Sequence, residues 1–473
     1  MGTLFYILWF VSSLGAVIHL LLYKREPSST IAWLLFTTSF PIIGPAIFFV
    51  FGPQRLERQA IKRSRELEKS TFPTPTETPS SDPAPIISWL SSEDAQVLHL
   101  ARRISQYGVT AGNHVHLLPD PHQALLAMKA AIAEARRFIH LEYYIIESDE
   151  VTRSLFEDLL AASHRGIEVR ILYDSLGSLF LKRIYFRRLI QAGAKIAGFL
   201  PVSLLPQRIN LNFRNHRKIL IVDGKVAFTG GTNIGKKYLG LRTDSQWLDY
   251  TTRIQGAVCR QLEDVFAKDW HFTTQEDLFD AKYYPAVEKA GDSIVQVLES
   301  GPDSTFLALH QALFFAINSA KHDILLTTPY FIPDPALITT LTVAALKGIN
   351  VKLLLPAKSD SRFVQYASRS FYDDLLQAGV QIYEYQPRVL HAKIVVIDKK
   401  WTILGSANMD IRSFRLNFEL NLLVYGAEVA NQAVQQVETD LGDSLRVDLA
   451  QFVRRPLTQQ VLENACRLMS PIL

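Results

Sequence analysis

The sequence predicts an α/β fold with two tandem, pseudo-symmetric units, each a sheet covered by helices, behind two transmembrane helices. Four observations carry that expectation. The octapeptide His216-Arg-Lys218-Ile-Leu-Ile-Val-Asp223 recurs as His391-Ala-Lys393-Ile-Val-Val-Ile-Asp398. Both copies run on into a small-residue turn ending in asparagine, Gly230-Gly231-Thr232-Asn233 and Gly405-Ser406-Ala407-Asn408. Strand and helix patterns alternate around both copies, which is the signature of a helix-covered sheet. Finally, the chain opens with two long apolar runs that lack any charged residue.

The apolar runs are Thr3 to Tyr23 and Ile31 to Phe51, each long enough to cross a hydrocarbon core as a helix. Lys24 to Thr30 is short enough for a tight hairpin. A cleaved signal peptide is the weaker reading of the first run, because a basic n-region and a clear cleavage site are missing and a second run follows closely. Pro41, Gly44 and Pro45 leave a kinked or partly re-entrant second segment as an alternative to a full span. After it come Arg55, Arg58, Lys62, Arg63, Arg65 and Lys69, against only Lys24 and Arg25 in the hairpin. That excess places the bulk of the chain on the cytoplasmic side, and the same stretch would suit an anionic lipid surface. Thr71 to Ser88, with Pro73, Pro75, Pro79, Pro83 and Pro85 among Thr and Ser, reads as an extended linker. The expected divisions are 1–53 for a membrane anchor, 54–88 for the basic flank and linker, and 89–290 and 291–473 for the two α/β units.

The repeat extends beyond the octapeptides. Phe138 to Tyr144 reads as a buried strand, followed by a helix ending in Arg165-Gly166-Ile167 and a strand from Glu168 to Tyr173. In the second half Asp323 to Tyr330, Lys347-Gly348-Ile349 and Asn350 to Leu355 take the same places. Gln191-Ala192-Gly193 matches Gln377-Ala378-Gly379, where glycine suits a helix C-cap. The first half is longer just before its motif, around Phe199 to Asn212, a position suited to shaping substrate access. Phe180 to Leu189 mixes Lys182, Arg183, Arg187 and Arg188 with large apolar groups. It is read as an amphipathic helix packed on its own sheet, with a membrane-surface helix as the alternative.

A net charge of +4 is too small to argue for nucleic acid. Cys259 and Cys466 form neither a disulfide framework nor a metal-like spacing. On a strand, period-two alternation puts His216 and Lys218 on one face, and likewise His391 and Lys393. A lysine and a histidine side by side suit a phosphoryl group: the lysine holds charge near the oxygens and the histidine titrates near neutrality. Asn233 and Asn408 would add uncharged donors, and Asp223 and Asp398 fall at the strand ends. One copy cannot both attack phosphorus and protonate a leaving group, whereas two facing copies can. Metal ligation is the weaker alternative, and His114-Val-His116 is read as surface or packing.

With these motifs the chain resembles the bacterial cardiolipin synthases of the phospholipase D superfamily. The resemblance covers nearly all of it. It rests on the two-span start, Asn215-His216-Arg217-Lys218, Gly230-Gly231-Thr232-Asn233-Ile234-Gly235, Pro329-Tyr-Phe-Ile-Pro333, Leu390-His391-Ala392-Lys393, Gly405 to Ser413, Asn417-Phe418-Glu419 and the tail Ser470 to Leu473. The resemblance implies two phospholipase D-like α-β-α sandwich domains preceded by two transmembrane helices. It also implies a ping-pong transfer of a phosphatidyl group from one phosphatidylglycerol to another, giving cardiolipin and glycerol through a phosphatidyl-histidine, with no metal and no cofactor. The catalytic motif residues would be His216, Lys218, Asp223, His391, Lys393 and Asp398, with the two aspartates more structural than proton-carrying. Asn233 and Asn408 would bind phosphate. Asp249 and Glu419 would each orient the histidine of the other half. His216 is the favoured nucleophile and His391 the favoured acid/base, although the near-symmetry of the copies leaves that order open. The implied partners are phosphatidylglycerol and cardiolipin rather than nucleic acid, and the implied location is the bacterial inner membrane, multi-pass, with a cytoplasmic catalytic domain. A phospholipase D acting with water or small alcohols is the alternative.

Overall fold

The computed structural model describes residues 2–22, 27–40, 42–51, 92–201, 212–240, 246–304 and 307–470. Lys24 and Arg25, the basic flank, the proline-rich linker, most of the 199–212 insertion and the last three residues lie outside the described residues.

The first apolar run forms a single helix, α1 (Gly2–Leu22), but the second does not: it divides into α2 (Pro27–Ser39) and α3 (Ile43–Phe51). At about 1.5 Å per residue, α2 and α3 reach roughly 20 and 14 Å, short of the roughly 30 Å of a hydrocarbon core. The break has a local cause. Ile42 sits at φ 66°, outside helical backbone space, and Pro45 is acceptable only in the first turn of a new helix. Gly44 lies against α2, where a Cβ would stand 2.6 Å from the Phe36 carbonyl oxygen. Ala16, Leu20 and Phe48 form a small core with Trp33 and Leu34 beside it, and Ser13 Oγ donates to Thr37 O at 3.2 Å. Among the described residues no helix is long and apolar enough to cross a membrane, and the second apolar run is a broken helix where a single one was expected.

The described residues from Ser92 onward make a second compact unit built on one continuous sheet. The first half contributes β1 (Thr110–Leu118), β2 (Phe138–Tyr143), β3 (Glu168–Asp174), β4 (Lys195–Phe199), β5 (Arg214–Asn215), β6 (Lys218–Val222), β7 (Val226–Gly230) and β8 (Thr251–Gln255). The second contributes β9 (Ser293–Ser300), β10 (Asp323–Thr327), β11 (Phe331–Ile332), β12 (Asn350–Pro356), β13 (Gln381–Tyr385), β14 (Ile394–Ile397), β15 (Trp401–Gly405), β16 (Met409–Asp410), β17 (Asn417–Tyr425) and β18 (Ser444–Arg446). The first half runs β1-β8-β7-β6-β2-β3-β4 and the second β9-β17-β15-β14-β10-β12-β13, strand for strand the same path. The halves join edge to edge where β1 pairs antiparallel with β9, and β18 extends the far edge. β2, β3 and β4 are parallel, as are β10, β12 and β13, while the motif strands β6 and β14 run antiparallel to β2 and β10.

Local signals account for the helices between these strands. Asp120, Asp149 and Asp334 cap helices Pro121–Glu134, Glu150–His164 and Pro335–Leu346 through their carboxylates. Gly166 and Gly348, at φ 84° and 88°, end matching helices in the two halves, and Gly193 and Gly379 do the same at 95° and 98°. Within Ile184–Gln191, Phe186 and Leu189 pack inward, with Phe186 stacked on Tyr173, so this segment does cover its own sheet. Each half carries its own apolar core, and both motif strands are wholly buried. His114 and His116 stack on one another on β1, away from the motif strands.

Candidate active site

Two short crossings between the halves place the motif histidines. β5 lies parallel to the start of β17, pairing Asn417 with Arg214 and Phe418 with Asn215, and Leu248 forms an isolated bridge with Leu390. As a result the His216 N–H donates to Phe418 O at 2.9 Å and the His391 N–H to Leu248 O at 2.7 Å. The residue after each of those carbonyls is a carboxylate from the opposite half. His216 Nδ1 meets Glu419 Oε2 at 2.9 Å, and His391 Nδ1 meets Asp249 Oδ2 at 2.5 Å. An ionised carboxylate only accepts, so each Nδ1 carries the proton and Nε2 is left as the reactive nitrogen. Glu419 is itself fixed by Ser406 Oγ at 2.5 Å and Asn417 Nδ2 at 3.1 Å.

Lys218 and Lys393 are both buried, and each donates through Nζ to the carbonyl of its own histidine. Lys393 Nζ also stands 2.8 Å from His391 Nδ1 and 3.7 Å from Asp249 Oδ2. A single Nδ1 cannot accept from the lysine while donating to the carboxylate; the shorter contact and the opposite charge favour the carboxylate. Burial lowers Lys218 to about 7 and Lys393 to about 8, against the pull of the site's carboxylates. Burial also holds His216 and His391 down at about 4, with Lys218 and Lys393 adding repulsion and Glu419 and Asp249 opposing it. Burial alone would raise Glu419, yet His216 and Lys218 together keep it ionised at about 2. Both imidazoles are therefore neutral near pH 7.

Asp223 and Asp398 lie apart from the histidines, in the structural position the sequence reading favoured for them. They occupy the far ends of β6 and β14, five residues and roughly 16 Å beyond Lys218 and Lys393 at about 3.3 Å per residue. Each adopts a left-handed backbone, φ 55° and 51°. The Asp223 carboxylate accepts the N–H groups of Arg136, Arg137 and Phe138 at 2.9, 2.8 and 3.0 Å, and Asp398 accepts those of Lys321, His322 and Asp323 at 2.9, 2.8 and 2.9 Å. They tie the motif strand to the start of β2 or β10.

Asn233 and Asn408 do line the cavity with the two histidines, which encloses about 340 Å³. The Ile145 N–H donates to Asn233 Oδ1 at 3.2 Å, which leaves the Asn233 amide as a donor. The cavity also takes in residues the sequence reading did not single out: Tyr144, Arg214, Lys237, Trp247, Tyr330, Asp360 and Arg412. The Tyr144 ring meets His216 edge-on at 4.8 Å and the Trp247 ring lies 5.0 Å from His391. Tyr330 donates to Asp360 at 2.8 Å, and its phenol is pushed upward by burial first and Asp360 next. The repeat itself held a signal for two of these, since Lys237 and Arg412 each stand four residues after the turn asparagine.

Comparison with known proteins agrees with this geometry. The sequence pattern of the family described as "Cardiolipin synthase, PLD-like domain" matches residues 128–270 and 313–441, one stretch in each half. The chain belongs to the cardiolipin synthase family. A second pattern, described as phospholipase D-nuclease N-terminal, matches residues 11–53. Over 456 residues the chain is 37% identical to a cardiolipin synthase of Geobacillus thermodenitrificans, covering 95% of this chain and 90% of that one. It is 36% identical over 464 residues to a cardiolipin synthase of Halalkalibacterium halodurans, covering 97% and 92%. In solved structures the fold is shared with a phosphatidylserine synthase of Haemophilus influenzae, with a TM-score of 0.62 at 14% identity over 81% of this chain and all of that one.

Proposed function

We propose that this phosphatidyltransferase joins two phosphatidylglycerol molecules into cardiolipin and glycerol. The observation that carries the reading is the crossed arrangement: two neutral imidazoles face one cavity, each oriented by a carboxylate from the other half. Nε2 of one histidine attacks the phosphodiester of the first lipid, and the bond from phosphorus to the departing glycerol oxygen breaks. The other histidine gives that oxygen a proton. A hydroxyl of the second lipid then attacks the phosphatidyl-histidine and passes its proton to the same acid/base. Its oxygen–phosphorus bond forms as the nitrogen–phosphorus bond breaks. Lys218, Lys393, Asn233 and Asn408 meet the charge that builds on the phosphoryl oxygens.

We assign attack to His216 and acid/base work to His391. The 2.5 Å contact with Asp249 gives His391 the closer counter-charge for an imidazolium. The bound phosphodiester supplies the further negative charge that lets this imidazole, otherwise held low by burial, carry a proton. Asp223 and Asp398 act through the backbone only.

The N-terminal helices fit membrane attachment, with the catalytic unit on the cytoplasmic face. The apolar character of all three and the basic residues after Phe51 support this. Protease applied to inverted membrane vesicles should release the catalytic unit, and protection would reverse the orientation. The decisive assay is purified enzyme with phosphatidylglycerol: cardiolipin and glycerol in equal amounts are expected, whereas phosphatidic acid as the main product would make it a hydrolase.

A further inference from the structure

The two flanks of the cavity differ in charge. Lys237 and Arg412 occupy equivalent places in the repeat, and both line the cavity. Lys237 is already matched: its Nζ pairs with Glu147 Oε1 at 2.9 Å and lies 4.9 Å from the centres of the Tyr238 and Trp247 rings. Arg412 is not matched in that way. Its Nη2 donates to Asn212 O at 2.7 Å, and among the described residues no carboxylate forms an ion pair with it. A second guanidinium, the buried Arg214, lines the same cavity and donates from Nη1 to Phe213 O, and the two like charges repel. Both act on Tyr144, the ring that packs against His216. The equivalent of Arg214 in the second half is Val389, so this doubling of charge is found on one flank only. Asp174 and Asp410 moderate the pair, but their oxygens serve backbone N–H groups: Asp174 those of Leu176, Gly177 and Asn215, Asp410 that of Ser413 at 2.6 Å. Two like charges held together at a cavity wall are stabilised by an anion between them.

The lysines and asparagines already serve the reacting phosphate. The transfer brings in a second phosphodiester, that of the acceptor lipid, a three-carbon glycerol bridge away from its attacking hydroxyl. We infer that Arg214 and Arg412 form a subsite for the phosphodiester of the acceptor phospholipid, and so select a lipid alcohol over water or free glycerol. This rests on the proposed function and names the part of the cavity that separates a synthase from a hydrolase. With the acceptor phosphate on the arginines, its terminal hydroxyl reaches the phosphatidyl-histidine. The oxygen–phosphorus bond forms, the phosphorus–nitrogen bond breaks with its electron pair returning to that imidazole, and the hydroxyl proton goes to the other histidine.

The test uses the full-length enzyme in phosphatidylglycerol vesicles and follows two rates. One is cardiolipin formation, which needs the second phosphate. The other is exchange of labelled glycerol into phosphatidylglycerol, which runs through the same phosphatidyl-histidine with an acceptor that has no phosphate. Arg412→Gln and Arg214→Gln should each lower the ratio of cardiolipin formation to exchange by about tenfold or more, the scale of a lost charge-assisted contact. Arg412→Lys, which keeps the charge, should recover part of it. An unchanged ratio overturns the subsite, and so does loss of both rates by the same factor. A wild-type enzyme that exchanges glycerol but makes no cardiolipin overturns the functional reading itself, and this assignment with it.

Discussion

The first and second halves share a strand path, helix caps and a turn asparagine, yet they differ at the residues immediately on either side of the histidines, Asn215 and Arg217 against Leu390 and Ala392. Arg217 follows His216, whereas Ala392 follows His391. Arg217 anchors a buried polar network, with Asp269 at 2.6 Å, Glu299 at 3.3 Å and Glu142 close by. Burial pushes Glu142 well above its usual range, and the neighbouring Asp269 adds to that. The second half fills the same place with a methyl group. What the halves share therefore builds the site, and what they do not share divides the work within it. Neither half holds a complete site, because Glu419 serves His216 and Asp249 serves His391.

The strongest way to break the comparison is to remove one histidine at a time. His216→Ala and His391→Ala should each cost about 10⁴-fold or more in cardiolipin formation, as loss of a nucleophile or its proton partner does elsewhere. If either variant kept near-normal turnover, the two-imidazole mechanism would fall. Quenching turnover of phosphate-labelled phosphatidylglycerol and mapping the labelled peptide should place the adduct on His216, and label on His391 would exchange the assigned roles.

The crossing itself is tested next. Glu419→Gln and Asp249→Asn keep size and remove charge, so each should lower turnover by about 10²–10³-fold, since the imidazolium and its tautomer lose their support. The sharper readout is titration: Glu419→Gln should change the protonation of His216 and leave His391 near its wild-type value, as followed by imidazole NMR. A change confined to His391 would mean that the halves do not serve each other as described.

These crossings show why part of the site was legible in the sequence and part was not. The alternation of strands and helices, and the paired glycines Gly166 with Gly348 and Gly193 with Gly379, follow from local chemistry that a pattern displays. His216, Lys218 and their copies were visible because duplication repeats them in register. Asp249 and Glu419 came only through family resemblance, for each acts across a contact one or two residues long that no periodicity marks. Arg214, Tyr330 and Asp360 come from chain segments whose convergence depends on tertiary placement. The split of Ile31 to Phe51 was foreshadowed by Pro41, Gly44 and Pro45, but hydropathy outweighed that backbone signal. Edge pairing of β1 with β9 relies on short contacts such as Thr110 with Val295, so one joined sheet was not foreseen.

The lysines give a finer comparison, read through pH. Lys218 at about 7 and Lys393 at about 8 lose their protons as pH rises, and with them the charge proposed to meet the phosphoryl oxygens. kcat/KM, which reports groups of the free enzyme, should therefore fall on the alkaline side with an apparent pKa between about 7 and 8. Lys218→Arg keeps its charge throughout, so this limb should move to higher pH even though the bulkier group lowers the maximum. An alkaline limb that stays in place in Lys218→Arg would show that Lys218 does not set it.

The smallest effects belong to the far ends of the motif strands, where the halves are most alike. Asp223→Ala and Asp398→Ala each leave three backbone N–H groups without their carboxylate and put a non-glycine, non-Asx residue at positive φ. Because these groups are partly exposed and water can replace some of the contacts, each should cost about 1–3 kcal/mol of stability. The Asn variants should cost less, since Asn tolerates the left-handed backbone and retains one acceptor oxygen. Thermal melts should show nearly equal losses for the two positions, and turnover per folded molecule should be close to wild type. A tenfold drop in turnover at one position without matching loss of stability would bring that aspartate back into the chemistry and make the two strands unequal where their geometry is the same.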